Sequence, residues 1–129
     1  MDDLCYFDYA ATTPVRPEAL AAVTDALARF GNPSSRYPWG AAAAAEVKAD
    51  RADVARAMGC SPGEVYFTSC GTEGDNWAIR RGAECARRRG RHIVTTAIEH
   101  AAVLETCRDL ERRGYEVTYL QPDRTGHIS

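Results

Sequence analysis

The spacing of apolar residues along the chain changes near Gly63. Before this residue, apolar side chains recur every three or four positions, which is the spacing of one face of an α-helix. The pattern predicts two helices, Pro17–Arg29 and Ala41–Met58. Pro17 suits the first turn of a helix, and Gly59 suits the position that ends one.

After Gly63, short apolar runs alternate with helical patterns. The predicted elements are the strand Glu64–Thr68, the helix Thr72–Arg89, the strand His92–Thr96, the helix Ala101–Arg113 and the strand Tyr115–Leu120. This order implies parallel strands with right-handed crossovers. We therefore predict an α/β fold: a partial parallel sheet with a βαβαβ core, preceded by two helices. Residues 1–62 form the leading segment and residues 63–129 the start of the sheet, within one domain that we expect to be incomplete.

Size and charge narrow the class of protein. The 129 residues are enough for one small domain, and 45% hydrophobic with 26% charged residues is ordinary for a globular protein. A net charge of −2 provides no general attraction to nucleic acid or membrane surfaces. No apolar run has the length of a membrane span, and no leader resembles a signal peptide. The expected location is cytoplasmic, with neither nucleic acid nor membrane as a partner.

The five cysteines are scattered and lack the spacing of a metal site. We therefore expect reduced, buried thiols, with no metal centre and no disulfide framework. The chain has a single lysine, Lys48, which lies among Glu46 and Asp50 in a predicted helix. We expect it to be a surface lysine.

The turn Ser69–Thr72 is the first candidate for a ligand site. Small residues between a strand and a helix present unpaired N–H groups and the positive end of the helix dipole, which suit a phosphate. Cys70 in this turn can have a lowered pKa. The alternative is a simple helix cap, in which Ser69 or Thr72 bonds the helix start and Glu73 or Asp75 complements the dipole.

His100 is the second candidate, because it follows the strand predicted to end at Thr96. Ligands of parallel sheets bind at the carboxyl ends of strands, where this ring can stack on a flat cofactor or relay a proton. The alternative is a capping or core histidine. His92 and His127 are expected to be structural or solvent-exposed.

Six arginines form a basic run, and they are Arg80, Arg81, Arg87, Arg88, Arg89 and Arg91. A nucleic-acid or acidic-partner surface is one interpretation. The favoured one is a solvated helix face, because the run lacks interleaved aromatic residues and its last arginines suit the negative end of the dipole.

Several segments together carry a resemblance to a known family. They are Tyr6–Pro14, Phe30–Ser35, Phe67–Asn76, Thr95–Glu105 and Tyr115–Leu120. In this order they resemble the N-terminal part of the cysteine desulfurases, which belong to the class V aminotransferase group of pyridoxal-phosphate enzymes. The resemblance covers nearly the whole chain.

This resemblance implies a fold-type I enzyme, normally a cytoplasmic homodimer with pyridoxal 5'-phosphate as cofactor. Such enzymes take sulfur from L-cysteine, leaving L-alanine and an enzyme persulfide that serves an iron–sulfur scaffold or another sulfur acceptor. By position, Gly71 and Thr72 would hold the cofactor phosphate, and His100 would lie over its ring and assist proton transfer. Ala11, Thr12 and Asn32 would line the substrate side.

The chain also departs from the family pattern. Cys70 stands where members typically have glycine, Gly74 where they often have alanine or serine, and Tyr37 where many have histidine. Family members continue well past residue 129, and their cofactor-anchoring lysine and persulfide cysteine lie in that later part. We therefore expect this chain alone to be inactive. The alternatives are a selenocysteine lyase or another class V enzyme, and a non-catalytic remnant or interaction module.

Overall fold

The computed structural model describes residues 5–128. Its elements are α1 (Pro17–Ala28), α2 (Pro38–Met58), a 3-10 turn (Pro62–Glu64), α3 (Gly71–Ala86), β1 (His92–Thr96), α4 (Ala101–Arg112) and β2 (Glu116–Leu120). The chain divides into two compact units, the first ending at Val65 and the second beginning at Tyr66. Of the helices between residues 5 and 128, none has the length and apolar character needed to cross a membrane.

The first unit contains α1, α2 and the loop that joins them. Arg29 links the two helices, because its side chain pairs with Asp25 and its Nε lies 3.0 Å from Glu46 Oε2. Gly40 is buried, and a Cβ there would lie 2.6 Å from the carbonyl oxygen of Asn32. The start of α2 therefore contacts the loop so closely that only glycine fits at this position.

The second unit is built on two parallel strands. β1 pairs with β2 from His92 opposite Glu116 to Thr96 opposite Leu120, and α4 makes the crossover between them. The buried residues of α4 are Ala102, Thr106, Cys107 and Leu110, which recur at the spacing of one helix face. The Thr106 hydroxyl is satisfied within the helix, since it donates to the carbonyl oxygen of Ala102 at 2.8 Å. This face of α4 forms the core of the unit.

α3 packs on α4 through a charged contact. Arg80 of α3 pairs with the Asp109 carboxylate, which also lies 2.9 Å from Arg113 Nε. The hydrogen bond from Arg80 is the main reason that the pKa of Asp109 lies below its usual range. A second link is the Tyr115 hydroxyl, which donates to the carbonyl oxygen of Ala83 at 3.2 Å.

The α/β class is confirmed, but the predicted strand Glu64–Thr68 is wrong. Glu64 ends the 3-10 turn, and residues 65–68 form no ladder with any other segment between residues 5 and 128. The parallel sheet therefore has two strands in the order β1-β2. An apolar run alone does not make a strand, because the strand also needs a neighbour to bond its N–H and C=O groups.

Three smaller expectations need correction. α2 begins at Pro38 rather than Ala41, because extended Tyr37 precedes a proline that suits the first helical turn. α3 ends at Ala86, so residues 87–89 form a turn rather than the last helical turn. The cysteines are mostly exposed: among residues 5–128, Cys107 is the buried one.

α1 presents its apolar face to solvent. None of its residues, Pro17–Ala28, is buried, and Leu27 is 81% exposed. Other large apolar side chains are also open, including Phe7 at 88% and Phe30 at 84%. Contiguous exposed apolar surface favours association between molecules.

Replacing Leu110 by Ala tests the core of the second unit. Leu110 is only 4% exposed, so Leu110→Ala should lower the free energy of unfolding by about 2–5 kcal/mol. Urea denaturation followed by circular dichroism measures the change. Leu27→Ala is the matched control and should have little effect, because this leucine is already exposed. Equal effects of the two substitutions would contradict the assigned core.

Replacing Asp109 by Asn tests the contact between α3 and α4. A carboxyl whose pKa is lower in the folded state stabilises the fold above its unfolded pKa, and this contribution is lost as pH falls through the folded pKa. Asp109→Asn should therefore be less stable than the parent at neutral pH, and the difference should disappear in acid. Unfolding curves over a pH series measure this.

Glu105→Gln is the control for the Asp109 test, since Glu105 lies on the same helix and pairs with Arg108 at the exposed surface. Exposed pairs contribute little to stability, so its unfolding should change little at any pH. A pH-independent loss of stability in Asp109→Asn would argue against the ion pair.

Candidate functional site

At the bend before α3, several backbone N–H groups have no helical carbonyl as acceptor. Cys70 is the N-cap residue, and the first helical hydrogen bond runs from the N–H of Gly74 to the carbonyl oxygen of Cys70 at 3.2 Å. The N–H groups of Gly71, Thr72 and Glu73 therefore have no carbonyl acceptor within the helix. Together with the helix dipole, they give this end of α3 a partial positive charge.

The carboxylate beside these donors is already engaged. Glu73 Oε2 accepts hydrogen bonds from the Ser69 backbone N–H at 2.6 Å and from the Ser69 hydroxyl at 2.8 Å. The backbone bond from Ser69 is the main reason that the pKa of Glu73 is lowered. The carboxylate thus closes the bend around Ser69.

This arrangement differs from the simple cap considered as an alternative. The Ser69 hydroxyl bonds the Glu73 side chain rather than the start of the helix. The N–H groups of Glu73 and Thr72 instead face the Cys70 sulfur, whose pKa they lower. Sequence reasoning missed the role of Glu73 in holding the bend. The signal was present, because a Glu in the first turn that reaches back to a small hydroxyl residue is a variant of the capping box.

Gly71 leaves space in front of the open donors. A Cβ built on this residue would meet no heavy atom within 4 Å. The fold around residue 71 therefore does not itself require glycine. What glycine does provide is close access to the backbone for a bound group.

His100 begins α4 as its N-cap residue. Its Nδ1 accepts a hydrogen bond from the Ala102 backbone N–H at 3.1 Å, and the residue is exposed. The capping alternative therefore describes its geometry correctly. Of the other histidines, His92 bonds through Nε2 to Thr118 Oγ1 at 2.7 Å across the sheet, and His127 is exposed.

The second unit brings the bend and the histidine to one edge. α3 and α4 each lead into a strand of the parallel pair, so both helices start at the end where the strands finish. Arg80 pairs with Asp109 and so joins the two helices. Arg80 lies nine residues after the first residue of α3, and Asp109 lies eight residues after the first residue of α4. At 1.5 Å per residue, roughly, the two N-termini are level. Packed helices lie about 8–10 Å apart, so the starts of α3 and α4 lie at the same edge of this unit. That Gly71, Thr72 and His100 form one ligand site stays a prediction.

The three remaining predicted residues belong to the first unit. Ala11 N–H donates to the carbonyl oxygen of Asp8 at 3.1 Å, and Tyr6 donates from its hydroxyl to the carbonyl oxygen of Thr12 at 2.9 Å. Asn32 Oδ1 accepts from the Ser34 N–H at 2.9 Å, which closes a tight turn. These contacts give Ala11, Thr12 and Asn32 local structural roles, and their assignment to a substrate side stays a prediction.

Lys48 and the arginines of the basic run were interpreted as surface residues, and their contacts agree with that interpretation. Lys48 is exposed on α2, as expected for a surface lysine. Within the basic run, Arg80 bonds Asp109 and Arg81 pairs with Glu84 at 2.6 Å. The Arg91 guanidinium lies 4.9 Å from the centre of the Tyr115 ring, where it makes a cation–π contact. These contacts favour a structural interpretation of the run.

Comparison with known proteins gives consistent matches. The family described as "Aminotransferase class-V" matches residues 5–129. A protein named cysteine desulfurase IscS from Methanosarcina thermophila is 48% identical over 125 residues, covering 96% of this chain and 31% of that protein. The protein of the same name from Shewanella pealeana is 48% identical over 129 residues, again covering 31% of its length.

Solved structures agree with these relatives. A NifS-like protein superposes with a TM-score of 0.86 at 40% identity, covering 96% of this chain and 34% of that one. A structure described as SspA in complex with cysteine gives a TM-score of 0.85 at 38% identity, covering 96% and 36%. The chain thus spans about a third of the length of the proteins it matches.

The surroundings of Cys70 in the bend before α3 predict that its thiol is reactive. The Glu73 backbone N–H and the Ser69 hydroxyl lower the pKa of Cys70, whereas burial raises the pKa of Cys107. The thiolate is the reactive form, so iodoacetamide should modify Cys70 well before Cys107 and should still do so below the usual thiol range. Peptide mass spectrometry over a pH series measures each rate.

Exposed Cys85 controls for access in the alkylation experiment. Cys70 should react faster than Cys85 at the low end of the pH series, and Cys70→Ser should remove only the fast phase. Indistinguishable rates for Cys70 and Cys85 would show that the bend does not activate its thiol.

Proposed function

The chain belongs to the aminotransferase class-V family, and we propose that it forms the phosphate-binding side of the pyridoxal-phosphate site in a cysteine desulfurase. The observation that carries this proposal is the start of α3, where the Gly71 and Thr72 N–H groups have no helical carbonyl acceptor, with unfilled space at Gly71. The named relatives support the reaction class, since they are cysteine desulfurases.

The residues present fit the proposed cofactor. A phosphate carries negative charge, and the start of α3 supplies backbone donors with the positive end of a dipole. Thr72 adds a hydroxyl beside those donors. The Glu73 carboxylate does not compete for them, because it already accepts two hydrogen bonds from Ser69. His100, level with this bend, is the residue proposed to lie against the cofactor ring.

The chemistry supplied by bound pyridoxal phosphate is that of an electron sink, which weakens bonds around the α-carbon of an amino acid. The contribution of this chain is to hold the anionic end of that group and to cover its ring. L-cysteine is the proposed substrate, since the similar SspA structure was solved in complex with cysteine.

Desulfurase activity is proposed for a protein of the relatives' full length, because this chain spans about a third of that length. Exposed Lys48 on α2 is not proposed as a cofactor anchor. Transfer of the sulfur from a persulfide to an iron–sulfur scaffold or another acceptor stays a prediction from the family resemblance. The homodimer and the cytoplasmic location stay predictions on the same basis.

Replacing Gly71 by Ala distinguishes an effect on cofactor binding from an effect on the stability of the fold. The added methyl group meets no atom of the chain within 4 Å, so the free energy of unfolding should not fall. The same methyl group would obstruct a phosphate held by the backbone N–H groups at this bend. Gly71→Ala should therefore weaken binding of pyridoxal phosphate by about tenfold or more, the equivalent of one lost charge-assisted hydrogen bond.

Binding is measured by titrating pyridoxal phosphate and following the Gly71 and Thr72 amide signals by NMR. Pyridoxal, which lacks the phosphate, is the control ligand. Gly82→Ala is the matched variant, because Gly82 lies in the same helix and its Cβ position is equally open. It should leave binding unchanged. If the amides respond equally to pyridoxal, or if the parent and Gly71→Ala bind alike, the phosphate site is not at this bend.

A further inference from the structure

We propose that α4 fixes the tautomer of His100, so that its neutral ring offers a ligand one N–H donor, at Nε2, and no acceptor. This inference rests on the proposed function, since the ligand is the one bound at that site. It specifies the chemistry that the histidine can perform there. It also limits the part that the ring can take in proton transfer.

The tautomer follows from the direction of one hydrogen bond. The Ala102 backbone N–H lies 3.1 Å from His100 Nδ1, and a backbone N–H can only donate. Nδ1 must therefore be the acceptor and carry no hydrogen. A neutral imidazole has one protonated and one unprotonated nitrogen, so the hydrogen lies on Nε2.

The position of the His100 ring also depends on the backbone of His100 and on the packing of α4. The His100 carbonyl oxygen accepts the Val103 N–H at 2.9 Å and the Leu104 N–H at 3.2 Å, so its backbone also begins the helix. Ala102, which provides the donor, is buried at 7% exposure on the core face of α4. The packing of α4 thus determines where the donor lies and how the ring is oriented.

The far side of the ring remains available. Within residues 5–128, no hydrogen bond involves His100 Nε2, and the residue is exposed. The Nε2–H can therefore donate to an electron-rich atom of a ligand, such as an anionic oxygen or a thiolate sulfur.

Acting as a base at Nε2 has a structural cost. The ring would first need its hydrogen on Nδ1, which would then face the Ala102 N–H, donor against donor. The capped ring is consequently a hydrogen-bond donor, and proton uptake requires loss of the bond to Ala102.

NMR of the uniformly ¹⁵N-labelled chain tests the tautomer directly, without any cofactor. At a pH where the rings are neutral, long-range ¹⁵N–¹H correlations should show His100 with an unprotonated Nδ1 and a protonated Nε2. His127 is the internal reference and should show the mixture of an unbonded ring. A protonated Nδ1 at His100, or a mixture matching that of His127, would overturn the proposal.

Two substitutions test the cap itself. Asn is a good N-cap residue and Ala is not, so His100→Ala should unfold with an equilibrium constant about tenfold larger than that of His100→Asn. The Ala102 amide should exchange slowly with solvent in the parent and in His100→Asn, and faster in His100→Ala. His127→Ala should change neither measurement.

Equal stability and equal Ala102 exchange in the two His100 variants would show that the side chain does not cap α4. Failure of the chain to bind pyridoxal phosphate would contradict the proposed function but would leave these results intact. The two proposals can therefore fail separately.

Discussion

The parallel pairing of β1 with β2 is the constraint on which the second unit depends. Parallel strands cannot be joined by a tight turn, so the chain must cross back through α4. Burial of Thr106, Cys107 and Leu110 holds that crossover in place. The start of α4 is thereby set at the carboxyl end of the strands, which is where His100 lies. Contact of α3 with α4, through Arg80 and Asp109, sets the bend before α3 at the same level.

Electrostatics at this edge favours one kind of ligand. Two helices begin there, and helix N-termini carry partial positive charge. At α3 the first backbone donors have no helical carbonyl acceptor, while the nearby Glu73 carboxylate is bound to Ser69. At α4 the donors are partly satisfied by the His100 ring. The start of α3 thus suits the anion that we propose, and the start of α4 holds the His100 imidazole at the same edge of the sheet.

The helices, the second and third predicted strands and the α/β class followed from residue spacing, because helical and extended backbones repeat at different periods. The sequence also singled out Gly71, Thr72 and His100 as candidate site residues, since turns and strand ends have a recognisable composition, and their role stays a prediction. Element ends were less accurate. α3 stops at Ala86 although Arg87–Arg89 suit a helix, because propensity is weak where packing no longer supports the last turn.

The sequence by itself determined which segments are helical, which residues are candidates for chemistry and which family the chain resembles. Only the tertiary structure decided which groups bond each other. The segment Val65–Thr68 has the composition of a strand but joins no sheet within residues 5–128, because strand pairing depends on residues distant in sequence. Three further contacts were also seen only in the tertiary structure. They are the bond of Glu73 to Ser69, the ion pair of Asp109 with Arg80, and the bond from the Ala102 N–H to His100 Nδ1. A hydrogen bond depends on the distance and angle between donor and acceptor, and the amino-acid sequence alone specifies neither of them.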